Sequence, residues 1–217
     1  MNYDTLPKLK LFSENLNYVE SCDYLGIRLD CKLNMNAFSV KVKSSVLHKI
    51  YMLSKIRKFL TLEAAVLVFK NMILPYFEYG NVFLSICEES ILKKLDRIYI
   101  RGIKIALKSY DKIDEKTLLD KIKLLPLKSR REISISKLMF NKLMKNQVEL
   151  QRKTSARIHD GPVIEWPVLS NFKFRNYTAY LGPTIWNRLP SNLRNIEDRD
   201  KFKTEIKKYY EKLFADI

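Results

Sequence analysis

The sequence predicts a mainly α-helical protein: a small N-terminal β-meander, then a helical bundle and a C-terminal helical tail. Its 217 residues include only 5 Gly and 7 Pro, too few turn signals for an all-β fold with many tight turns. Hydrophobic residues make up 47% of the chain, so one or two domains with a buried core can form. Apolar residues also recur at helical spacing through most of the chain after residue 31, which favours long helices.

Residues 1–31 show the short alternating pattern of β-strands. Residues 9–12 and 16–20 are strand candidates around a Ser-Glu-Asn turn, and the segment YLGIRLD at 24–30 alternates apolar and other residues. That alternation is the period of a half-buried strand, with Leu25 on its apolar side. These strands together predict a β-meander whose sheet starts upstream of Met1.

From residue 32 to 145 the apolar period changes to three or four residues, which predicts a helical bundle. Thr61 is a suitable cap for the second helix, which Pro75 is expected to interrupt. The first helix is long, and its predicted inward residues are Phe38, Val42, Val46, Ile50, Leu53, Ile56 and Leu60.

The rest of the chain divides into further helices, a linker and a tail. Helices are predicted near 90–108, from a cap at Asp114 to Leu124, and after Leu127. Residues 146–171 lack periodicity and contain His-Asp-Gly-Pro, which predicts a linker, and 172–217 form an aromatic-rich tail. The tail ends in an amphipathic helix with Phe202, Ile206, Tyr210 and Leu213 on its inner side.

The charge balance indicates an anionic partner. Lys and Arg number 40 against 24 Asp and Glu, a formal net charge of +16. Nucleic acid, an anionic membrane surface and an acidic protein all remain candidates on charge alone. An aromatic content of 12% argues against a disordered basic tail.

The sequence also favours an intracellular chain, cytoplasmic or nuclear. The three cysteines, Cys22, Cys31 and Cys87, are scattered, which fits a reducing compartment better than a disulfide framework. The first residues lack the apolar centre of a secretory signal. No apolar run approaches the ~18 residues that a membrane-spanning helix needs.

Catalytic and metal-binding signatures are missing from the sequence. His48 and His159 are the only histidines, and there is no Cys/His spacing typical of zinc ligands. Glu88 and Glu89 precede a predicted helix, where the helix dipole favours acids, so they do not indicate a two-metal site. We therefore predict no catalytic residue and no metal site.

A basic stripe on the first helix is the main candidate binding site. Lys41, His48 and Lys55 are spaced seven apart, opposite the apolar face, with Tyr51 and Lys58 beside them. No acid occurs between residues 32 and 58. A basic face with an aromatic residue suits a phosphate backbone, while a solvated lysine-rich face would have the same pattern.

Arg130 and Arg131 form a second cationic cluster at the start of a predicted helix. The helix dipole disfavours cations there. Either an anionic partner, such as nucleic acid, or a nearby acid of the same chain would offset that cost.

Four blocks of the sequence resemble a known family when they are taken in order. This succession is similar to the C-terminal third of the reverse transcriptases of non-LTR retrotransposons, of the jockey-like and related LINE-type clades, over roughly residues 9–214. The blocks are YLGIRLD (24–30), ILPYFEYGNVF (73–83), LLPLKSRREIS (124–134) and NYTAYLGPTIWNRLPSNLRN (176–195), followed by a FKTEIKKYY helix.

The resemblance implies a role in holding nucleic acid. By that likeness Tyr24, Leu25 and Gly26 lie next to the primer grip at the end of a palm domain, and residues 32–145 form the thumb that clamps an RNA–DNA duplex. The family's Tyr-x-Asp-Asp motif, which binds magnesium, belongs to a palm upstream and is absent here. The resemblance thus implies binding of RNA or an RNA–DNA duplex without catalysis or a cofactor in this chain.

A second interpretation stays open beside the first. The chain could be a domesticated helical interaction protein that binds another protein or an anionic membrane surface. Trp166 and Trp186 are expected in the core rather than as base-stacking surfaces, and Gly182-Pro183 is expected to form a turn.

Overall fold

The structure, a computed structural model, is mainly α-helical, as the sequence predicts. It describes residues 7, 9–110, 113–147, 162–165 and 178–216. Within these residues the helices form two adjoining hydrophobic cores, and the strands are confined to the N-terminal 30 residues.

The N-terminal strands form two separate hairpins instead of one meander. Strand β1 (Lys10–Leu11) pairs with β2 (Glu14–Asn15), and β3 (Ser21–Tyr24) pairs with β4 (Ile27–Asp30), all antiparallel. In the described chain no hydrogen-bonded ladder joins the two hairpins. Each hairpin is therefore a local unit, and only the second reaches the helical core, through β4.

The predicted strand at 24–30 is partly a turn. Leu25 and Gly26 form the two-residue loop between β3 and β4, with φ angles of 47° and 78°. Two positive φ angles are typical of a type I′ hairpin turn. Leu25 is consequently 73% exposed, and the prediction that it faces inward is wrong.

The first helix, α1 (Asn36–Ile56), buries the predicted face but ends earlier than expected. A 3₁₀ turn over Arg57–Phe59 follows it, and Leu60 is extended. Ile56, predicted inward, is exposed, and Arg57 is buried in its place. The end of the apolar pattern therefore did not coincide with the end of the helix.

Pro75 does not interrupt the second helical segment. Helix α2 (Leu62–Val68) continues through a π-helical turn (Phe69–Ile73) into α3 (Leu74–Glu78). The Leu74 N–H donates to the Phe69 carbonyl, five residues back. This wider turn lies directly before Pro75, which has no backbone N–H to donate. The change from α-helical to π-helical hydrogen bonds therefore occurs before the proline, and the helix continues through it. Thr61 caps α2 as predicted, its hydroxyl accepting from the Ala64 N–H at 3.2 Å.

Two further predicted helices are confirmed. Helix α4 (Asn81–Leu84) follows Gly80, and α5 (Glu89–Leu107) matches the prediction within a residue. The Asp114 side chain caps α6 (Glu115–Ile122) by accepting from the Thr117 N–H at 2.9 Å. Helices α1, α5 and the α2–α3 segment pack together with α6 as the first core.

The second core joins α7 (Leu127–Met144) to the C-terminal helices α8 (Thr178–Arg188), α9 (Ser191–Arg194) and α10 (Arg199–Ala215). Trp186 is fully buried there, as expected, and Phe140 stacks on Phe202 at 4.5 Å between ring centroids. Helix α7 was predicted with the thumb, but it packs mainly on α8 and α10.

Two details of the C-terminal half differ from expectation. Gly182 and Pro183 lie inside α8 rather than in a turn. A Cβ on Gly182 would lie 2.3 Å from the Met139 sulfur, so this glycine lets α8 approach α7 closely. Leu213 is exposed on α10.

Part of the predicted linker packs against the second core. The Asn187 side chain donates to the Ile164 carbonyl and accepts from its N–H, both at 2.9 Å. Ile164 itself is buried, so residues 162–165 are docked on α8. Trp166 and most of 146–171 lie outside the described residues, so the proposed domain division stays a prediction.

We expect Gly80→Ala to destabilise the first core by about 2–4 kcal/mol. Gly80 has φ 71°, and an added Cβ would lie 2.8 Å from the buried Phe38 ring. The variant therefore suffers both backbone strain and overpacking. Urea unfolding followed by circular dichroism measures the loss.

Gly26→Ala is the matched control for that variant. Gly26 also has a positive φ, 78°, but its added Cβ would meet only the Tyr79 ring at 3.5 Å, an ordinary contact. Its free energy of unfolding should fall only by the cost of the strained backbone, about 1–2 kcal/mol. Equal losses in the two variants would contradict the role given to the Phe38 ring.

Candidate nucleic-acid interface

The exposed face of α1 carries most of the predicted basic stripe. His48, Tyr51 and Lys55 are exposed on the side of α1 opposite its buried residues, and Lys58 is exposed in the 3₁₀ turn that follows the helix. Within the described chain, Lys55 and Lys58 form no salt bridge with a carboxylate. Among the described residues these two ammonium groups are therefore not neutralised by a salt bridge.

Lys41 belongs to a different arrangement from the rest of the stripe. Its ammonium lies 2.8 Å from the Asp23 carboxylate and donates to the Gly26 carbonyl at 3.0 Å. Hydrogen bonds from Lys41 and Arg28 lower the pKa of Asp23, so the carboxylate is charged. Lys41, predicted as a phosphate contact, is thus paired with an acid of β3 that is remote in sequence, and its role in binding nucleic acid stays a prediction.

Two aromatic rings lie within the basic face, each beneath a lysine. The Lys55 ammonium is 5.1 Å from the centre of the Tyr51 ring, and the Lys58 ammonium is 4.8 Å from that of Phe59. Phe59 was not predicted as a site residue. The signal that could have identified it is an aromatic residue directly after Lys58. We call Tyr51, Lys55, Lys58 and Phe59 the ring-lysine cluster.

Arg57 holds the turn that carries Lys58 and Phe59. Its buried guanidinium donates from Nε to the Ala106 carbonyl and from Nη1 to the Leu60 carbonyl, both at 2.8 Å. Ala106 is at the C-terminal end of α5, where carbonyls lack helical partners and a cation is favoured. The basic residue next to Lys58 is therefore structural, and it fixes the end of α1 to α5.

Lys49, on the apolar side of α1, also has a partner. Its ammonium lies 4.9 Å from the centre of the Tyr76 ring of α3. A cation over an aromatic face is stabilised by the ring quadrupole, which explains a lysine at this position. Lys49 therefore belongs to the packing of α1 on α3.

Arg130 and Arg131 are paired with acids of the same chain. Arg130 binds the Glu78 carboxylate through Nε at 2.9 Å and also through Nη2. The buried Arg131 lies 3.3 Å from Asp96, whose pKa is raised by burial against the opposing effect of Arg131. The structure thus favours local acids, rather than a nucleic acid, as the partners of this cluster.

The segment Tyr24-Leu25-Gly26 lies beside α1 and α3. The Tyr79 hydroxyl donates to the Leu25 carbonyl, and Lys41 holds Gly26. Beneath this turn lies an apolar cavity of about 270 Å³, with Phe38, Val42, Pro75 and Tyr76 among its walls. The turn is therefore fixed near the N-terminal end of α1, at the opposite end from the ring-lysine cluster.

Among the described residues there is no group of three or more His, Cys, Asp or Glu side chains placed to hold a metal ion. Burial raises the pKa of the Cys87 thiol to about 11, which makes it a poor nucleophile.

Comparison with known proteins identifies no relative. No protein-family model, curated protein or solved structure matches the chain. As for a membrane, none of the helices described is long and apolar enough to cross one.

Proposed function

We propose that this chain binds nucleic acid through backbone phosphates, using the exposed face of α1. The observation that carries the proposal is the ring-lysine cluster together with His48, held on a helix whose other face is buried in the first core. The net charge of +16 adds a long-range attraction for polyanions. Phosphate contacts of this kind position a protein on nucleic acid without reading sequence.

We propose an RNA–DNA duplex as the ligand, and RNA alone as the alternative ligand. The support is the resemblance of the sequence blocks to the thumb region of non-LTR reverse transcriptases. In this proposal α1 is the first thumb helix, Tyr24-Leu25-Gly26 borders the primer grip, and polymerisation needs a palm domain that carries the aspartates. The chain acts in the cell interior, where such a polymerase meets its template.

A second candidate function is supported by exposed apolar side chains near the same lysines. Met52, Ile56 and Leu62 are 50%, 42% and 48% exposed. Apolar residues interleaved with lysines also suit an anionic membrane surface or an apolar protein partner. We rank this second, because the most exposed apolar side chain near these lysines, that of Phe59, is an aromatic ring beneath a cation.

Binding of the full chain to a labelled RNA–DNA hybrid tests the proposal. We expect the logarithm of the association constant to fall linearly with the logarithm of salt concentration, with a slope of about −0.9 per phosphate neutralised. Two or three contacts predict a slope of roughly −2 to −3. Hybrids of unrelated sequence should bind equally.

Fluorescence anisotropy at several salt concentrations gives both quantities. Anionic and neutral lipid vesicles serve as the competing ligands. Binding to anionic vesicles without binding to the hybrid would reject the nucleic-acid function in favour of the second candidate.

A further inference from the structure

Phe59 is a large apolar side chain presented to solvent on a rigid support. It is 77% exposed, although burying such a ring is normally favourable. Phe59 lies in the turn between Arg57 and Leu60. The buried Arg57 guanidinium donates to the Leu60 carbonyl at the end of this turn and to the Ala106 carbonyl of α5. The ring is therefore held outward by the fold, at the end of a helix that is itself packed on α5.

Tyr51 repeats the arrangement about two turns earlier on α1. It is 55% exposed, and Lys55 lies over its ring as Lys58 lies over Phe59. The ammonium groups lie 5.1 Å from the centre of the Tyr51 ring and 4.8 Å from that of Phe59. No acid of this stretch competes for the lysines, since residues 32–58 contain none.

We propose that Phe59 and Tyr51 are stacking surfaces for unpaired bases, while Lys58 and Lys55 bind the adjoining phosphates. The bases of a duplex stack on one another, so only an unpaired base can lie on a side-chain ring. A base that stacks on either ring moves the ammonium toward the adjoining phosphate, and the cation–π contact is replaced by an ionic one. The chain therefore prefers a duplex with a single-stranded tail over a blunt duplex.

This inference rests on the proposed function and deepens it, because it names the part of the substrate that the cluster recognises. The distinguishing chemistry is the flat aromatic face. An aliphatic side chain of similar size would serve a membrane or an apolar protein surface equally well, but it offers no π-face to a base.

The test compares two RNA–DNA hybrids, one blunt and one with an unpaired tail, against the full chain and its Phe59 variants. We expect wild type to bind the tailed hybrid about five-fold or more tightly than the blunt one, since stacking contributes ~1–3 kcal/mol per base. Phe59→Ala and Phe59→Leu should lose most of this preference, and Phe59→Trp should keep it. The preference is taken as the ratio of the two affinities, so that a loss of binding common to both hybrids does not count as a loss of stacking.

A 2-aminopurine base in the tail reports stacking directly. Its fluorescence should be quenched by wild type and by Phe59→Trp, and not by Phe59→Leu. Because Phe59 is largely exposed, its variants should fold, and thermal unfolding by circular dichroism checks this for each protein.

Three results would overturn the inference. Equal binding of blunt and tailed hybrids by wild type removes the stacking role while leaving the proposed function intact. A Phe59→Leu variant that keeps the full preference for the tailed hybrid indicates an apolar contact instead of stacking. If Phe59→Ala also binds anionic vesicles more weakly than wild type, that apolar contact is with a membrane. Failure of wild type to bind either hybrid overturns the inference together with the proposed function.

Discussion

Replacing Lys55 and Lys58 by glutamate should lower the affinity for an RNA–DNA hybrid by about ten-fold or more at low salt. Two charge-assisted contacts, each contributing on the order of 1 kcal/mol, account for that loss. The salt slope should become shallower by roughly 2, since each lost phosphate contact removes about 1. The loss should be the same for hybrids of any sequence.

Lys41 is left unchanged in this variant because its charge is already bound by Asp23. Lys41→Gln gives a separate expectation: nearly unchanged hybrid affinity, and a weakened Tyr24-Leu25-Gly26 turn that exchanges its amide protons faster. A large loss of affinity in Lys41→Gln would mean that the lysine leaves Asp23 to bind phosphate.

The matched control replaces Lys93 and Lys94 by glutamate; both are exposed lysines near the N-terminal end of α5. This changes the net charge by the same amount at a helix end where acids are favoured, so the fold should tolerate it. A general decrease in charge weakens non-specific attraction somewhat. Equal losses of affinity and slope in both double variants would show that α1 contributes only to a diffuse positive field.

The local part of the fold followed from the sequence, because local patterns determine it. The apolar face of α1 and the caps at Thr61 and Asp114 depend on spacing within one or two turns, and all three are observed. The position of His48 and Lys55 on the opposite face follows from the same periodicity, whereas Lys58 lies in the 3₁₀ turn after the helix.

The contacts that the sequence did not reveal join residues far apart in sequence. Lys41 meets Asp23, Arg130 meets Glu78, and Arg131 meets Asp96. None of these pairs is visible in a helical pattern, because each depends on how one element packs on another. A cationic cluster in sequence therefore overstates the charge that the folded surface presents.

Unusual backbone geometry accounts for the other differences. Apolar alternation through Leu25 suggested a continuous strand, but two positive φ angles at Leu25 and Gly26 make a turn. Pro75 suggested a helix break, but the π-helical turn over Phe69–Ile73 absorbs it. Both conformations depart from the usual preferences of their residues, and contacts with the rest of the fold accompany each of them. The Tyr79 hydroxyl donates to the Leu25 carbonyl of the turn, and Phe69, at the start of the π-helical turn, is buried.

Replacing Trp186 by alanine should reduce the free energy of unfolding by about 3–5 kcal/mol, the largest stability effect that we expect. Its side chain is fully buried, its ring centroid lies 5.7 Å from that of Phe202, and its Nε1 donates to the Pro162 carbonyl at 3.0 Å. The variant loses the ring volume at the centre of the second core and one of the hydrogen bonds that hold residues 162–165. Urea unfolding followed by circular dichroism measures the loss.

Trp186→Phe separates the two contributions. It keeps most of the ring and loses the N–H, while the Pro162 carbonyl still accepts from Arg194 Nη1 at 3.2 Å, so less than half of the alanine loss is expected. A phenylalanine variant as unstable as the alanine variant would assign the effect to the hydrogen bond rather than to packing.

The same variant tests whether the interface belongs to the first core alone. Trp186 packs with α7 and α10, whereas α1 packs with α5. Folded Trp186→Ala protein should therefore bind the RNA–DNA hybrid with the wild-type salt slope, while hydrogen exchange rises first in α8 and α10. A shallower slope in that protein would mean that the C-terminal helices also contact the phosphates, because an interface confined to α1 is not altered by a cavity in the second core.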